Sequence, residues 1–396
     1  MNFAILHPDV QDYINHNLKT DPTALILKGV PFEEVSVAEV VEQIEAKSRC
    51  EKKLPTWFQQ PNIYYSNKLN IEQTSSEITA AYKSRLISGK SLIDLTGGFG
   101  VDAYYFAKTF EKVTHCELNA DLSKMVKHNF EMLKVSNIKT YATDGLEELQ
   151  HSSKTYDWIY VDPSRRHESK GKVFFLKDCL PNIPDHLELI WSRSKNILIK
   201  TSPLLDITLG TNELKYVKSI HIVAVNNEVK ELLWTLERGF SGQIAIKTTN
   251  IMNDYSEDFE FFMADESQIE TIYSEPLAYL YEPNSAIMKS GGFNSLTTAY
   301  NVSKLHKHSH LYTSYNLLEF PGRAFKIIKT VPYNKKALKK LSIEKANITT
   351  RNFPEAVQNI RKTLKIKDGG EHYLFFTTNI NNDKVLLVCL KADCEH

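Results

Sequence analysis

The feature that most constrains this chain is a stretch, about residues 70–240, in which strand and helix signals alternate. Short apolar runs of strand length fall at 91–95, 112–117, 138–142, 158–161 and 196–200. Helical spacing of apolar residues occupies 72–87, 101–110 and 120–134. This alternation predicts a parallel sheet covered by helices, a Rossmann-like α/β core. The stretch closes differently. Residues 217–225 and 229–236 are extended runs joined at Asn226-Asn227, and asparagine tolerates the positive φ of a tight turn. The sheet is therefore predicted to end in an antiparallel hairpin, which is not typical of a dinucleotide-binding half-fold.

A chain of 396 residues is long for one domain. Residues 1–70 read as an N-terminal helical region, with helical spacing at 12–18 and 37–47 and a Pro-containing linker at 54–61. Residues 71–240 form the α/β domain, 241–322 a connecting region and 323–396 a small C-terminal α/β module closed by a second hairpin. The connecting region carries nine carboxylates over 253–282 with no Lys or Arg, which predicts a solvated or connecting element. Residues 301–367 reverse the balance, with 15 Lys or Arg against three Glu. The totals of 48 basic and 48 acidic residues cancel, so only this uneven distribution speaks of a polyanionic partner. The five cysteines show neither CxxC spacing nor a His-Cys cluster, so no metal is expected. The N-terminus lacks a signal-peptide pattern and no apolar run reaches membrane-spanning length. The expectation is a reduced, cytoplasmic protein with no membrane partner and an oligomeric state left open.

The turn Asp94-Leu-Thr-Gly-Gly-Phe-Gly100 follows the first strand and opens a helix. Glycines let the backbone turn tightly and approach a ligand, here around Thr96, Gly98 and Gly100. The residues from Gly98 to Ala103 also satisfy a dinucleotide fingerprint. Asp94 decides between the two cofactors. A carboxylate beside the turn repels a pyrophosphate but favours the ammonium and sulfonium of S-adenosylmethionine. Glu117, with Leu118 behind it, closes the second strand, where a carboxylate reaches ribose hydroxyls. Asp144-Gly145 follows the third strand, within reach of an adenine amino group. The expected cofactor is therefore S-adenosylmethionine.

The fourth strand runs into Val161-Asp-Pro-Ser-Arg-Arg166, whose place in such a fold faces the transferred methyl group. Many amino-methylating enzymes carry an Asp- or Asn-Pro-Pro-aromatic motif there. Asp162 and Pro163 keep its first half, while Ser164, Arg165 and Arg166 depart from it. The stacking aromatic is missing, and guanidiniums can instead stack on a base or hold a phosphate. Asp162, Pro163 and Arg165 are the catalytic candidates; Arg166 is a substrate contact. After the fifth strand come Lys200 and Ser202, also substrate candidates, with serine where C5-pyrimidine methylases place a nucleophilic cysteine. Direct transfer to nitrogen or oxygen is expected instead.

These motifs, with Lys200-Thr-Ser-Pro-Leu-Leu-Asp206, Tyr281-Glu-Pro-Asn-Ser-Ala-Ile-Met-Lys289 and Arg351-Asn-Phe-Pro-Glu355 through Gly369-Gly370, resemble a bacterial family of class I S-adenosylmethionine-dependent methyltransferases. The resemblance spans nearly everything beyond residue 50. It implies a small ferredoxin-like module and a C-terminal THUMP-like domain; THUMP domains elsewhere bind structured RNA. Thr96 stands where the usual cofactor motif has its first glycine. The basic segment agrees with RNA on separate grounds. Its lysines, Lys335, Lys336, Lys339 and Lys340 foremost, release counterions on binding phosphates. The interleaved Tyr312, Tyr315, Phe320, Phe325, Tyr333 and Phe353 can stack on bases. An RNA methyltransferase acting on a purine exocyclic amine is the leading expectation. A protein or small-molecule methyltransferase, an idle RNA-binding protein and, more distantly, a dehydrogenase are the alternatives.

Overall fold

The computed structural model describes residues 1–165, 175–338 and 341–392. It divides into two compact units, one of Met1–Val217 with Leu233–Phe240 and one of Lys218–Leu232 with Ser241–His396. Arg166, Lys339 and Lys340, three of the residues singled out above, lie outside the described residues.

The first unit opens with six helices: α1 (Pro8–His16), α2 (Pro22–Lys28), α3 (Val37–Lys53), α4 (Pro55–Gln59), α5 (Lys68–Gln73) and α6 (Glu77–Leu86). Proline starts α1, α2 and α4, where its missing N–H would have no partner anyway. Ser36 and Glu39 close a capping box on α3. Ile5, Val10, Ile14, Leu25, Val40, Val41 and Ile44 form the core of this bundle. Two expectations change here. The segment read as a linker is helix α4, because Trp57 drives it into the interior. The single helix expected over 72–87 is two, since Ser76 caps α6 and ends the continuity. Paired hydrogen bonds fasten the region to the helix Ala120–Met132, α8: the Asn129 side chain both accepts from and donates to the Tyr64 backbone, at 2.9 Å each way.

Strands β1 (Gly89–Asp94), β2 (Phe110–Cys116), β3 (Ile138–Tyr141), β4 (Tyr156–Val161) and β7 (Ser194–Thr201) are parallel, in the order β7-β4-β1-β2-β3. A two-residue pair, β5 (Ser164–Arg165) with β6 (Cys179–Leu180), lies between them in the chain. Helices α7 (Val101–Phe106), α8 (Ala120–Met132), α9 (Gly145–His151), α10 (Ile183–Arg193) and α11 (Ile207–Glu213) make the crossovers. The strand order reverses direction at β1, between β2 and β4. In open α/β sheets that point, at the carboxyl ends of the strands, is where ligands bind. The register puts Asp94 beside His115 of β2 and Tyr160 of β4.

Strands β8 (Val217–Val225) and β9 (Glu228–Glu237) meet at Asn226 and Asn227, with φ of 49° and 62°, as a tight hairpin requires. Strand β10 (Ala245–Ile251) runs parallel to β8, and β11 (Ser256–Phe262) antiparallel to β10. A second sheet follows, in the order β13-β14-β12-β15-β18-β17-β16. Its members are β12 (Tyr279–Pro283), β13 (Ser303–Lys304), β14 (Tyr312–Ser314), β15 (Gly322–Pro332), β16 (Lys345–Arg351), β17 (Lys367–Thr378) and β18 (Lys384–Ala392), with helices α12 (Ser285–Ser290), α13 (Ser295–Tyr300), α14 (Lys335–Leu338) and α15 (Val357–Leu364). Strands β17 and β18 are the expected C-terminal hairpin.

The acidic segment has specific work inside the second unit. Glu266 accepts the N–H groups of Asn294 and Ser295 at 2.6 and 2.9 Å. Glu282, nearly inaccessible, holds the guanidiniums of Arg323 and Arg351. Glu266 and Glu282 therefore pin strands and helices together, while Asp254, Asp258, Glu260, Asp265, Glu270 and Glu275 are exposed, as expected of a solvated segment. The aromatics also differ from expectation. Tyr312, Phe320 and Phe325 are buried, and Tyr333 and Phe353 pack against the core around Phe376; Tyr315 alone of the six is well exposed, at 75%. Alternation on a strand buries every second side chain, and a small sheet fills that face with its largest apolar groups.

Candidate active site

The site assembles at the carboxyl ends of β1, β2, β3 and β4. After Asp94 the chain leaves the sheet in a chain of backbone hydrogen bonds. Leu95 N–H donates to Tyr160 O at 3.0 Å, and Gly97 N–H to Cys116 O at 2.8 Å. Gly98 N–H donates to Glu117 Oε2 at 2.9 Å. Gly98 has φ +54°, and a Cβ there would meet no atom closer than Thr96 O at 3.8 Å, so this residue faces open space. Gly97 is the opposite case: a Cβ would stand 2.2 Å from Nε2 of the fully buried His115. The turn thus lies directly on the imidazole, with only hydrogen on one side and a vacant approach on the other. Gly100 is the N-cap of α7, and Gly145 begins α9 against the Leu95 backbone.

The acids take different stations. Asp94 is 1% exposed and accepts the Thr96 N–H at 3.0 Å. Burial pushes its carboxyl well above the usual range; the Thr96 hydrogen bond opposes this, and the nearby Asp102, Asp162 and Glu117 reinforce it. Glu117 has both oxygens fixed by backbone, Oε2 by Gly98 and Oε1 by Asn119 at 2.8 Å. Asp144 caps α9, accepting from Leu146 N–H at 2.7 Å, with carboxylate acceptor capacity beyond that one bond. Leu118, which follows Glu117 in the chain, is 75% exposed.

The end of β4 is tied to the same turn. Asp162 N–H donates to Thr96 Oγ1 at 2.7 Å, so Thr96 links Asp94 to Asp162. The Asp162 carboxylate is ion-paired with the Lys200 ammonium from β7. Pro163 is buried behind it, and Ser164 Oγ donates to Leu180 O at 3.4 Å in the short β5–β6 pair. The Arg165 backbone belongs to that pair; its side chain lies outside the description. Ser202 Oγ accepts the Leu204 N–H at 3.3 Å, closing the loop after β7. Lys335 and Lys336 are exposed on α14, in the second unit.

Sequence reasoning missed a polar cluster behind these groups. Asp102 Oδ2 accepts from Tyr160 OH at 2.7 Å and from Ser75 Oγ at 2.9 Å, and Oδ1 lies 3.2 Å from Lys83 Nζ. The one available signal was Asp102 itself, in the glycine motif. A lysine on an ordinary helix gives no sign that it will be buried. His115 was missed too; burial takes its imidazole down to about 4, so it stays neutral beneath Gly97.

The second unit matches a ferredoxin-like domain family over residues 279–321 and a THUMP domain-like family over residues 322–391. A solved structure described as "putative methyltransferase from Porphyromonas gingivalis W83" is 31% identical, covers 98% of this chain and 98% of its own, and superposes with a TM-score of 0.88. The chain belongs to this class I methyltransferase family with a C-terminal THUMP-like domain. Two methyltransferase structures are similar over a smaller part. A Streptococcus thermophilus rRNA methylase is 16% identical over 40% of this chain and 93% of its own, with a TM-score of 0.29. M. capricolum TrmK, solved with S-adenosylhomocysteine, is 13% identical over 41% and 68%, with a TM-score of 0.32. No curated protein matches the chain. Within this family, the Rossmann-like sheet carries the methyltransferase fold, and the second sheet carries the ferredoxin-like and THUMP-like modules.

Proposed function

We propose that this protein transfers the methyl group of S-adenosylmethionine to a nitrogen, such as a purine exocyclic amine, of a structured RNA. The observation that carries the reading is the Asp162 carboxylate, tethered to the glycine turn through Thr96 and ion-paired with Lys200. The cofactor fits the residues present. Asp94, Asp102, Asp162 and Glu117 lie close enough together that three of them disfavour ionisation of the fourth. A phosphate would be repelled there, while a ligand carrying cations relieves the repulsion. Glu117 would hold the ribose hydroxyls, Asp144 the adenine amine, Leu118 an adenine face and the Gly98 side of the turn the methionine portion. When bound, S-adenosylmethionine supplies an electrophilic methyl carbon.

The protein's own groups do the positioning, which is most of catalysis in a direct transfer. Lys200 holds the Asp162 carboxylate in place by a direct ion pair. Asp162 then accepts an N–H of the acceptor amine, turning the nitrogen lone pair toward the methyl. The covalent C5 route needs a thiolate. Cys50, Cys116, Cys179 and Cys389 are all buried, and burial pushes the Cys116 thiol up rather than down. RNA is supported by the THUMP-like match and by the exposed lysines of that module, Lys326, Lys329, Lys335 and Lys336 among them. With five of the six aromatics packed inside, the attraction is chiefly electrostatic.

The test compares modified nucleosides by mass spectrometry in RNA from wild type and a deletion strain. One methylated nucleoside should vanish in the deletion strain, return with the intact gene and stay absent with Asp162→Ala. Purified Asp162→Ala should bind S-adenosylmethionine within about threefold of wild type. Lost cofactor binding in that variant would place Asp162 on the cofactor side. An unchanged nucleoside profile would overturn the RNA reading.

A further inference from the structure

Glu282 and Arg351 belong to two sequence segments, 281–289 and 351–355, that methyl transfer leaves without a task. Glu282 is on β12, in the ferredoxin-like module, while Arg323 on β15 and Arg351 at the end of β16 belong to the THUMP-like module. The strand register sets Arg323 directly beside Glu282. Arg323 donates to Glu282 Oε2 from Nε, at 2.9 Å, and from Nη2. Arg351 donates to Oε1 from Nε at 3.2 Å and from Nη2 at 2.8 Å. The carboxylate is 4% exposed, whereas the two arginine side chains are 44% and 35% exposed.

A guanidinium is a planar fork with five N–H donors, and it has two edges that each present a parallel pair of them. Glu282 takes the Nε–Nη2 edge of both arginines. The Nη1–Nη2 edge remains on each, and neither Nη1 bonds to a described residue. Two guanidiniums on one carboxylate also leave one positive charge in excess. Further cations are close by: burial first, then the charges of Lys304, Arg351 and His308, bring the His310 imidazole down to about 4. Stability alone is a weak reason for such a triad, since buried Arg-Glu-Arg groups add little over apolar packing. A buried acid that fixes two guanidiniums does, however, spare a further ligand the loss of their rotamer freedom.

We propose that Arg323 and Arg351, oriented by Glu282, form a phosphate-binding fork for RNA at the place where the ferredoxin-like and THUMP-like modules meet. RNA as the source of the phosphate rests on the function proposed above. The chemistry agrees with it, because paired N–H groups match phosphate oxygens bidentately. Both arginines also come from the segment 301–367, with its 15 Lys or Arg against three Glu.

The test uses the full chain and bulk tRNA, whose phosphates are contacted regardless of sequence. Arg323→Lys with Arg351→Lys keeps both charges and a partner for Glu282 but removes the forks. In filter binding at about 0.1 M salt, its tRNA affinity should fall about tenfold at a melting temperature near wild type. A folded variant within about twofold of wild type overturns the proposal, because charge alone then suffices. Should that variant not fold, Glu282→Met, Arg323→Met and Arg351→Met together replace the triad by apolar groups, a change that such triads tolerate. This triple variant should bind about fivefold more weakly than Lys362→Met, an exposed site that loses the same single net charge. Equal affinity overturns the proposal, and so does failure of both variants to fold, which would make the triad a stability element. Phosphatase-treated tRNA separates the two sources of phosphate: arginine dependence that persists assigns an internal phosphodiester, and dependence that disappears assigns the terminal phosphomonoester. If wild type binds no tRNA, the RNA reading fails and the site with it. If binding depends on the arginines while the nucleoside profile of the deletion strain is unchanged, the methyl-transfer reading fails and the site stands.

Discussion

Gly97→Ala tests the architecture of the glycine turn most directly. The added Cβ would lie 2.2 Å from His115 Nε2, 2.4 Å from Cε1 and 2.5 Å from Cδ2. Ordinary contact begins near 3.4 Å, so ring and turn must separate by roughly 1 Å. The ring cannot yield easily: His115 is fully buried and packs edge-on against Phe130, with centroids 5.9 Å apart. Overpacking of this kind costs about 1–3 kcal/mol. The turn is the softer partner, so Gly98 should move off Glu117 and cofactor affinity should fall about tenfold or more. His115→Ala removes the obstacle, so the double variant should be less destabilised than the sum of the singles, by about 1–3 kcal/mol. Urea unfolding followed by tryptophan fluorescence is a suitable assay, because Trp57, Trp158, Trp191 and Trp234 all lie in the first unit. A neutral Gly97→Ala, or strictly additive singles, would refute the reasoning.

Glu117→Ala should weaken S-adenosylhomocysteine by about 10- to 100-fold, the equivalent of one charge-assisted hydrogen bond or more, and calorimetry showing unchanged affinity would remove the ribose assignment. Asp94 gives a pH signature. Its folded value lies well above the ordinary 3.8, so its contribution to stability is full below that ordinary value and is lost as pH rises through the folded one. Asp94→Asn cannot ionise, so its melting temperature should gain on wild type between pH 4 and pH 8; a gap that does not grow with pH contradicts the buried-acid account. Lys335→Ala with Lys336→Ala should flatten the salt dependence of RNA binding by about 1.5 in log-log slope, read by filter binding from low to moderate salt. An unchanged slope would take α14 out of the RNA surface.

Much of the site's frame was readable because it is local. The alternating runs, the glycine turn and the acids at strand ends each depend on residues a few positions apart, and the hairpin at Asn226-Asn227 on two φ angles. The parallel order and the crossovers follow from such signals once the helices must cover both faces. Errors arose where local cues conflicted with burial. A proline-bearing segment became α4 because Trp57 had a core to enter, and the aromatics of the basic segment turned inward for the same reason.

What the sequence by itself determined is therefore the scaffold: a Rossmann-like sheet, a glycine turn at the end of its first strand, and carboxylates at the strand ends. Only the tertiary structure decided how those charges are used. It buried Asp94 rather than exposing it, set Glu117 on two backbone amides and brought Lys200 across to Asp162, 38 residues away. It also placed Lys83 on Asp102, in a pairing that spacing along the chain does not announce. The reason is physical. Periodicity reports which face of an element is apolar, whereas the ionisation and partner of a buried polar group depend on the desolvation and neighbours that packing supplies.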